Sequence, residues 1–231
     1  MSENAEHIAY SKIKSAIYKQ YFRQGSRLAE ASLSKQLNLS RTPVRHALRR
    51  LHYEGLVEFS PNGRAQVICP TENKIRQTYA VRAQLEKMAA ALAAQNATKK
   101  DVAELKLLVA EESPIYQKFI ASGLRQGLSE YHELNETLHL RIAKLSGNEV
   151  LYEQIDGLLQ KCRIYLILFD TYDQIDFNPS PLASHVEHEE IISHLSKGDS
   201  QGAEEAMLNH LNSTLEGMDF NIVLPNDRIT I

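Results

Sequence analysis

The sequence predicts a mainly α-helical protein in two parts. An N-terminal winged helix-turn-helix with a small β-hairpin wing occupies residues 1–70, and an all-α six-helix bundle occupies residues 71–231. Three observations point there. The run from Ser40 to Gly55 joins a helix start to an apolar stripe and an arginine-rich opposite face. The apolar period then shortens from about 3.6 to about 2 for the length of one hairpin. Charge also divides along the chain: residues 1–70 carry 11 Lys and Arg against 5 Asp and Glu, so this part is +6 in a chain of net charge −3. A basic module joined to an acidic one suits a chain in which only the first part meets a polyanion.

Taken in order, residues up to about 25 read as a first helix, with Ile8, Ile13, Ala16, Ile17 and Tyr21 near helical spacing and Gly25 ending it. Ser26 to Ala29 is a short strand or turn. A second helix is anchored by Leu33 and Leu37. Asn38 and Leu39 make the turn of the helix-turn-helix, with Leu39 a plug between the two helices. Ser40 is placed to cap the next helix, and Pro43 fits its first turn, where a missing N–H costs no hydrogen bond. Val44, Ala47, Leu48 and Leu51 then form one apolar stripe. Arg41, Thr42, Arg45, Arg49 and Arg50 fall on the other face, where arginine can bond guanine edges or phosphates in a major groove.

After Gly55 come Val57 and Phe59, the turn Ser60-Pro61-Asn62-Gly63, then Ala65 and Val67: a hairpin wing. Its tip residues Asn62, Gly63 and Arg64 suit a minor groove or a phosphate, a plain solvent turn being the alternative. Arg27 is a further candidate for a phosphate. The candidate DNA-contacting set is therefore Ser40, Arg41, Thr42, Arg45, Arg49, Arg27, Asn62, Gly63 and Arg64.

Pro70-Thr71 marks the boundary, because helical patterns begin directly after it. Helices are expected at about 72–96, 98–122, 124–146, 149–170, 182–197 and 200–218. A polar loop from Asp170 to Pro181 separates the fourth from the last pair, and Gly198-Asp199 breaks that pair apart. The tail from Asn221 is peripheral. No apolar run is long enough to span a membrane, and two cysteines are too few for a disulfide framework, so a soluble cytoplasmic protein is expected.

Within the bundle, three histidines sit where the helical pattern points inward. His139 lies beside Leu138, Ile142 and Leu145; His188 shares a face with Ile191, Ile192 and Leu195; His210 follows Ala203, Ala206 and Met207. A divalent metal would satisfy all three imidazoles at once, and separately hydrogen-bonded core histidines are the plainer alternative. His132, His185 and His194 read as surface or rim residues, and Asn148 as helix-boundary chemistry. An anionic ligand would need a cation, for which Arg82, Arg141 and Arg163 are the candidates. Arg82 stands four residues before Glu86, so a simple helical ion pair is its alternative.

The run SRTPVRHALRRLHYEGLVEFSPNGRAQV, Ser40 to Val67, resembles the winged helix-turn-helix signature of the GntR superfamily of bacterial transcription regulators. The segments RAQLEKMAAALAA, NETLHLRIAKLSGN, HVEHEEIISHLSKGD and AEEAMLNHL are similar to the FCD effector domain of the FadR-type branch of that superfamily. Together the resemblance covers about residues 7–216. In many members of that branch an aspartate and three histidines hold a metal in the bundle, with open positions for a small carboxylate effector or water. By motif the histidines fall on His139, His188 and His210. The aspartate position, four residues before His139, is Asn135 here. A neutral amide is a poorer ligand than a carboxylate, which moves the expected metal toward Zn²⁺ or Ni²⁺ and away from Mn²⁺.

The resemblance implies a ligand-responsive transcription regulator and not an enzyme. A homodimer would dock two recognition helices on a pseudo-palindromic double-stranded operator, and a small carboxylate in the bundle would change that docking, relieving repression. A metal-dependent enzyme on the three histidines is one alternative, which leaves the basic helix unexplained. An architectural DNA binder with a purely structural bundle is the other.

Overall fold

The computed structural model describes residues 2–19, 21–122, 126–169 and 181–216. The elements run α1 (Ser2–Tyr18), α2 (Glu30–Leu37), α3 (Arg41–Tyr53), β1 (Val57–Phe59), β2 (Ala65–Val67), α4 (Glu72–Asn96), α5 (Lys99–Ser122), α6 (Gln126–Leu145), α7 (Glu149–Phe169), α8 (Pro181–Lys197) and α9 (Ser200–Glu216). They form two compact units. The expected loop from Asp170 and the tail from Asn221 lie outside the described residues, and no described helix is long and apolar enough to cross a membrane.

The first unit closes around Ile13 and Ile17 of α1, Leu33 of α2, the α3 stripe Val44, Ala47, Leu48 and Leu51, and Val57 and Val67 of the wing, all buried. α1 stops well short of the expected end. Its last turn opens out, the Tyr21 N–H donating to the Ala16 carbonyl at 2.8 Å, and Tyr21 and Ile8 remain 43% and 38% exposed instead of joining the core. Gly25 has another task. With φ at +69° it turns the chain so that its N–H donates to the Val67 carbonyl at 3.0 Å. Leu28 N–H then donates to Ala65 at 2.8 Å and Val67 N–H to Ser26 at 2.9 Å, so residues 25–28 run beside β2 as a third, short partner of the wing.

α2 ends on Asn38, whose left-handed backbone (φ 53°) an asparagine tolerates. Leu39 packs against the core between the helices. Ser40 takes the extended backbone of an N-cap, yet its hydroxyl makes no capping hydrogen bond. A capping oxygen accepts from the second or third N–H of the helix, and the third residue is Pro43, which has none, so only the Thr42 N–H is on offer. Ser40 is left exposed.

In the wing, Val57 pairs with Val67 and Phe59 with Ala65, antiparallel. Gly63 N–H donates to the Ser60 carbonyl at 2.8 Å and Ser60 N–H to the Arg64 carbonyl at 2.9 Å. The positive φ of Gly63, +69°, closes that turn at little steric cost.

In the second unit α4 is the central helix, packing on α9, α6 and α8, while α5 lies along α6 and α8. Alanines 83, 90, 93 and 94 give α4 a thin face against which Leu138, Ile142, Ile191, Leu195 and Met207 are buried. Short side chains at the contact let helix axes come close, and this brings inward-facing residues of α6, α8 and α9 within reach of one another.

Candidate functional site

α3 carries its arginines outward because its apolar stripe is consumed by the core. Arg41, Thr42, Arg45 and Arg49 are exposed on it, and Arg27, Asn62, Gly63 and Arg64 are exposed at the wing and the strand beside it. Arg45 donates from Nε and Nη2 to Glu30 Oε1 and Oε2, each at 2.9 Å. Arg50 goes elsewhere. Its guanidinium lies 3.8 Å from the centre of the Tyr10 ring and its Nε 3.3 Å from Glu54, beside a Lys14–Glu54 ion pair of 2.8 Å. Arg50 thus ties α3 to α1 although the helical pattern puts it among the outward arginines.

The bundle collects the three predicted histidines. His139 of α6, His188 of α8 and His210 of α9 are buried, and one ring nitrogen of each lies within 4.8 Å of the others. Each also faces a glutamate through Nδ1: His139 meets Glu86, His188 meets Glu112 at 2.7 Å, and His210 meets Glu187 at 2.8 Å. A carboxylate accepts, so each Nδ1 carries the proton and each Nε2 turns a lone pair inward. His188 Nε2 and His210 Nε2 stand 3.3 Å apart. Two facing lone pairs repel unless a cation lies between them. Ligand nitrogens about 2.0–2.1 Å from a tetrahedral Zn²⁺ are separated by about 3.3 Å, so the residues present fit a metal. Two further atoms agree: His139 Nε2 and Asn135 Oδ1 are buried with no hydrogen-bond partner among the described residues.

Sequence reasoning missed the three glutamates as partners of the histidines. The signal was available, because Glu86 follows Ala83 by three and Glu112 follows Val109 by three, each a carboxylate on an otherwise apolar stripe and each buried to 1% exposure. Burial opposes the ionisation of Glu86, but Arg82 and His139 outweigh it and hold the carboxyl well below the usual range. For His139 and His210 burial prevails, keeping both imidazoles neutral and able to act as ligands; neighbouring histidines push His210 down further.

The three candidate arginines part company. Arg82 is buried, and its Nε donates to Glu86, so the helical ion pair is realised. Its Nη2 is buried without a partner among the described residues, as is Tyr79 Oη, with the Cys162 thiol near both. Arg141 is not at the site: it is half exposed and pairs with Glu104 at 3.3 Å. Two residues from His139, it projects about 200° around the helix from it. Arg163 is engaged by Glu136, with Nε at 2.6 Å. His185 is a rim residue, its Nδ1 3.1 Å from Glu112, in the wall of a cleft of about 560 Å³ lined also by Lys106, Ser113 and Glu189. His194 pairs with Asp199 at 2.7 Å, and burial together with Arg163 pushes His132 down to about 4. Asn148 caps α7, accepting from Leu151 N–H at 3.0 Å.

A winged helix-turn-helix with an arginine-faced recognition helix, followed by a helical bundle around a buried polar cluster, defines a DNA-binding regulator with a sensory domain. The chain belongs to the gntR family of bacterial regulatory proteins, whose domain it matches over residues 5–67, and it carries an FCD domain over residues 77–213. It is 34% identical over 143 residues to the Nta operon transcriptional regulator of Aminobacter aminovorans; that match spans 62% of this chain and 64% of that protein. It is 30% identical over 179 residues to the HTH-type transcriptional regulator McbR of Escherichia coli (strain K12), 77% of this chain and 76% of the relative. The solved structure of E. coli McbR/YncC shares the fold, with a TM-score of 0.65 at 24% identity over 92% of this chain and 95% of that one. The family and the relatives' names point to transcriptional regulators and not to enzymes.

Proposed function

We propose that the protein is a homodimeric, cytoplasmic transcription repressor whose hold on a pseudo-palindromic operator is modulated by a small carboxylate bound in the helical bundle. Arg41, Thr42, Arg45 and Arg49 read the major groove, with Ser40 at the helix start. Arg27, Asn62, Gly63 and Arg64 bind phosphate or the minor groove. The observation that carries the sensory half is a single one: ring nitrogens of His139, His188 and His210 lie within 4.8 Å of one another, each imidazole backed by its own glutamate.

His139, His188 and His210, with Asn135 Oδ1 as a fourth donor, would hold a divalent transition metal, Zn²⁺ or Ni²⁺ ahead of Mn²⁺, which when bound supplies a Lewis-acid contact for a carboxylate oxygen. Glu86, Glu112 and Glu187 fix the tautomers and ring orientations. Arg82 has N–H donors left on Nη2, sealed from solvent, to offer the same carboxylate. Regulation requires that the effector bind one arrangement of the dimer better than the other, since equal binding shifts nothing.

The test is the metal content of tag-free, chelator-free protein beside His139→Ala. About one transition metal per chain in the parent and none in the variant supports this reading; no metal in either, even after addition of Zn²⁺ or Ni²⁺, overturns the metal and leaves Arg82 as the anchor of the site.

A further inference from the structure

Glu30 opens α2, Arg45 lies on the exposed face of α3, and the two side chains meet in a fork: Nε to Oε1 and Nη2 to Oε2, both 2.9 Å. A guanidinium carries five N–H donors in fixed directions. Glu30 takes the edge formed by Nε and Nη2. What remains is the outer edge, where one N–H of Nη1 and one of Nη2 run parallel. Two parallel donors match the N7 and O6 acceptors of guanine, whereas adenine sets a donor of its own at N6 against them.

We infer that Glu30 is a specificity-determining positioning residue: it holds Arg45 so that the outer guanidinium edge reads one guanine in each half-site. The inference rests on the proposed reading of α3 as the recognition helix with Arg45 among its base-reading side chains. Left to itself, a half-exposed arginine samples many rotamers and loses that freedom on binding; tied to Glu30 it arrives pre-organised. The carboxylate also stands within the field of Arg41 and Arg49 as well as of its partner. A negative charge there opposes the phosphate backbone, so it reduces sequence-independent attraction while Arg45 keeps its base contact. Both effects act on discrimination more than on affinity. The plainer role, a tie between α2 and α3 at the surface, would act on stability alone.

The experiment selects from a randomised double-stranded DNA library with full-length wild type, E30Q, E30D and R45A. Each protein's affinity is then measured on the wild-type-selected duplex, on that duplex with the invariant guanine changed to adenine, and on a scrambled duplex. Wild type is expected to select one fixed guanine per half-site that R45A no longer selects. E30Q should lose about tenfold in guanine-over-adenine discrimination and bind the scrambled duplex as tightly as wild type or more so. E30D keeps the charge and breaks the fork, so it should lose discrimination with scrambled-duplex affinity unchanged. In the R45A background E30Q should cost no further discrimination.

Undiminished guanine preference in both E30Q and E30D, with R45A still losing it, overturns the positioning role and leaves Arg45 as a reader. An unchanged motif in R45A overturns the reading of Arg45 itself. Thermal melts accompany each variant, and a loss of binding that tracks a loss of folding in E30Q but not E30D assigns the pair to structure and overturns the inference.

Discussion

His188 Nε2 stands 3.3 Å from His210 Nε2 while the Nδ1 of each faces a different glutamate, Glu112 and Glu187. The carboxylates make both inward nitrogens acceptors. Such a pair is stable beside a cation and costly without one, and both imidazoles are sealed from water that might otherwise separate them.

Metal should therefore stabilise the fold, and Glu112 should govern how tightly it does so. Saturating Zn²⁺ is expected to raise the melting temperature of the parent protein by several degrees, since ligand at about 100 times its Kd contributes about 2.7 kcal/mol. E112Q should bind Zn²⁺ about 10–100-fold more weakly, while H210A shows no shift. Calorimetric titration of all three proteins checks this; equal affinities for E112Q and the parent would show that Glu112 does not orient His188.

Removing the partner of Glu86 should be severe. Arg82 and Glu86 are both buried, and R82M leaves a carboxylate in the bundle with only His139 beside it. Breaking one half of a buried pair costs about 3–5 kcal/mol. Chemical denaturation of R82M, read against the parent, tests this, and a loss below about 1 kcal/mol would mean that water reaches Glu86.

Acid should loosen the N-terminal unit through Glu54. Its partial burial opposes ionisation, but hydrogen bonds from Lys14, Tyr10 and Arg50 prevail and hold its carboxyl below the ordinary value. A group depressed on folding contributes stability above its unfolded pKa, about 4.3, and loses it as pH falls through the lower folded value. Melting curves between pH 6 and 3 should fall less steeply for E54Q than for the parent, by an amount equivalent to about 1 kcal/mol or less, the range for a pair this open to solvent. Parallel curves would assign the acid loss to other carboxylates.

Thiol chemistry should separate the two cysteines. Cys69 is exposed, whereas Cys162 is buried and its thiol is pushed up by that burial. A thiol reagent at pH 8 is expected to label one site per native chain, Cys69, and the second only on unfolding. Rapid labelling of C69S would show that α7 opens.

Much of the fold is legible in the sequence. The α3 stripe, the wing hairpin and the bundle helices follow from local rules, since periodicity, Asn38 and Gly63 act over a few residues of chain. The inward faces bearing His139, His188 and His210 were legible for the same reason. The end of α1 is not legible in the same way: Gly25, which reads as the helix stop, instead bonds to Val67, a partner far along the chain. That Arg141 is half exposed and pairs with Glu104 is not legible in the sequence, because the partner comes from another helix.

Each element and the face it buries are legible in the sequence, because they are set by residues within a turn or two of one another. Which polar groups meet across elements is settled by packing. Arg50 turns to Tyr10 of α1 while Arg45 takes Glu30 of α2, and one glutamate from α4, one from α5 and one from α8 each claim a histidine. Those pairings depend on the axial register and rotation of packed helices. A few ångströms of sliding would exchange the partners without altering any single helix, so no local pattern encodes them.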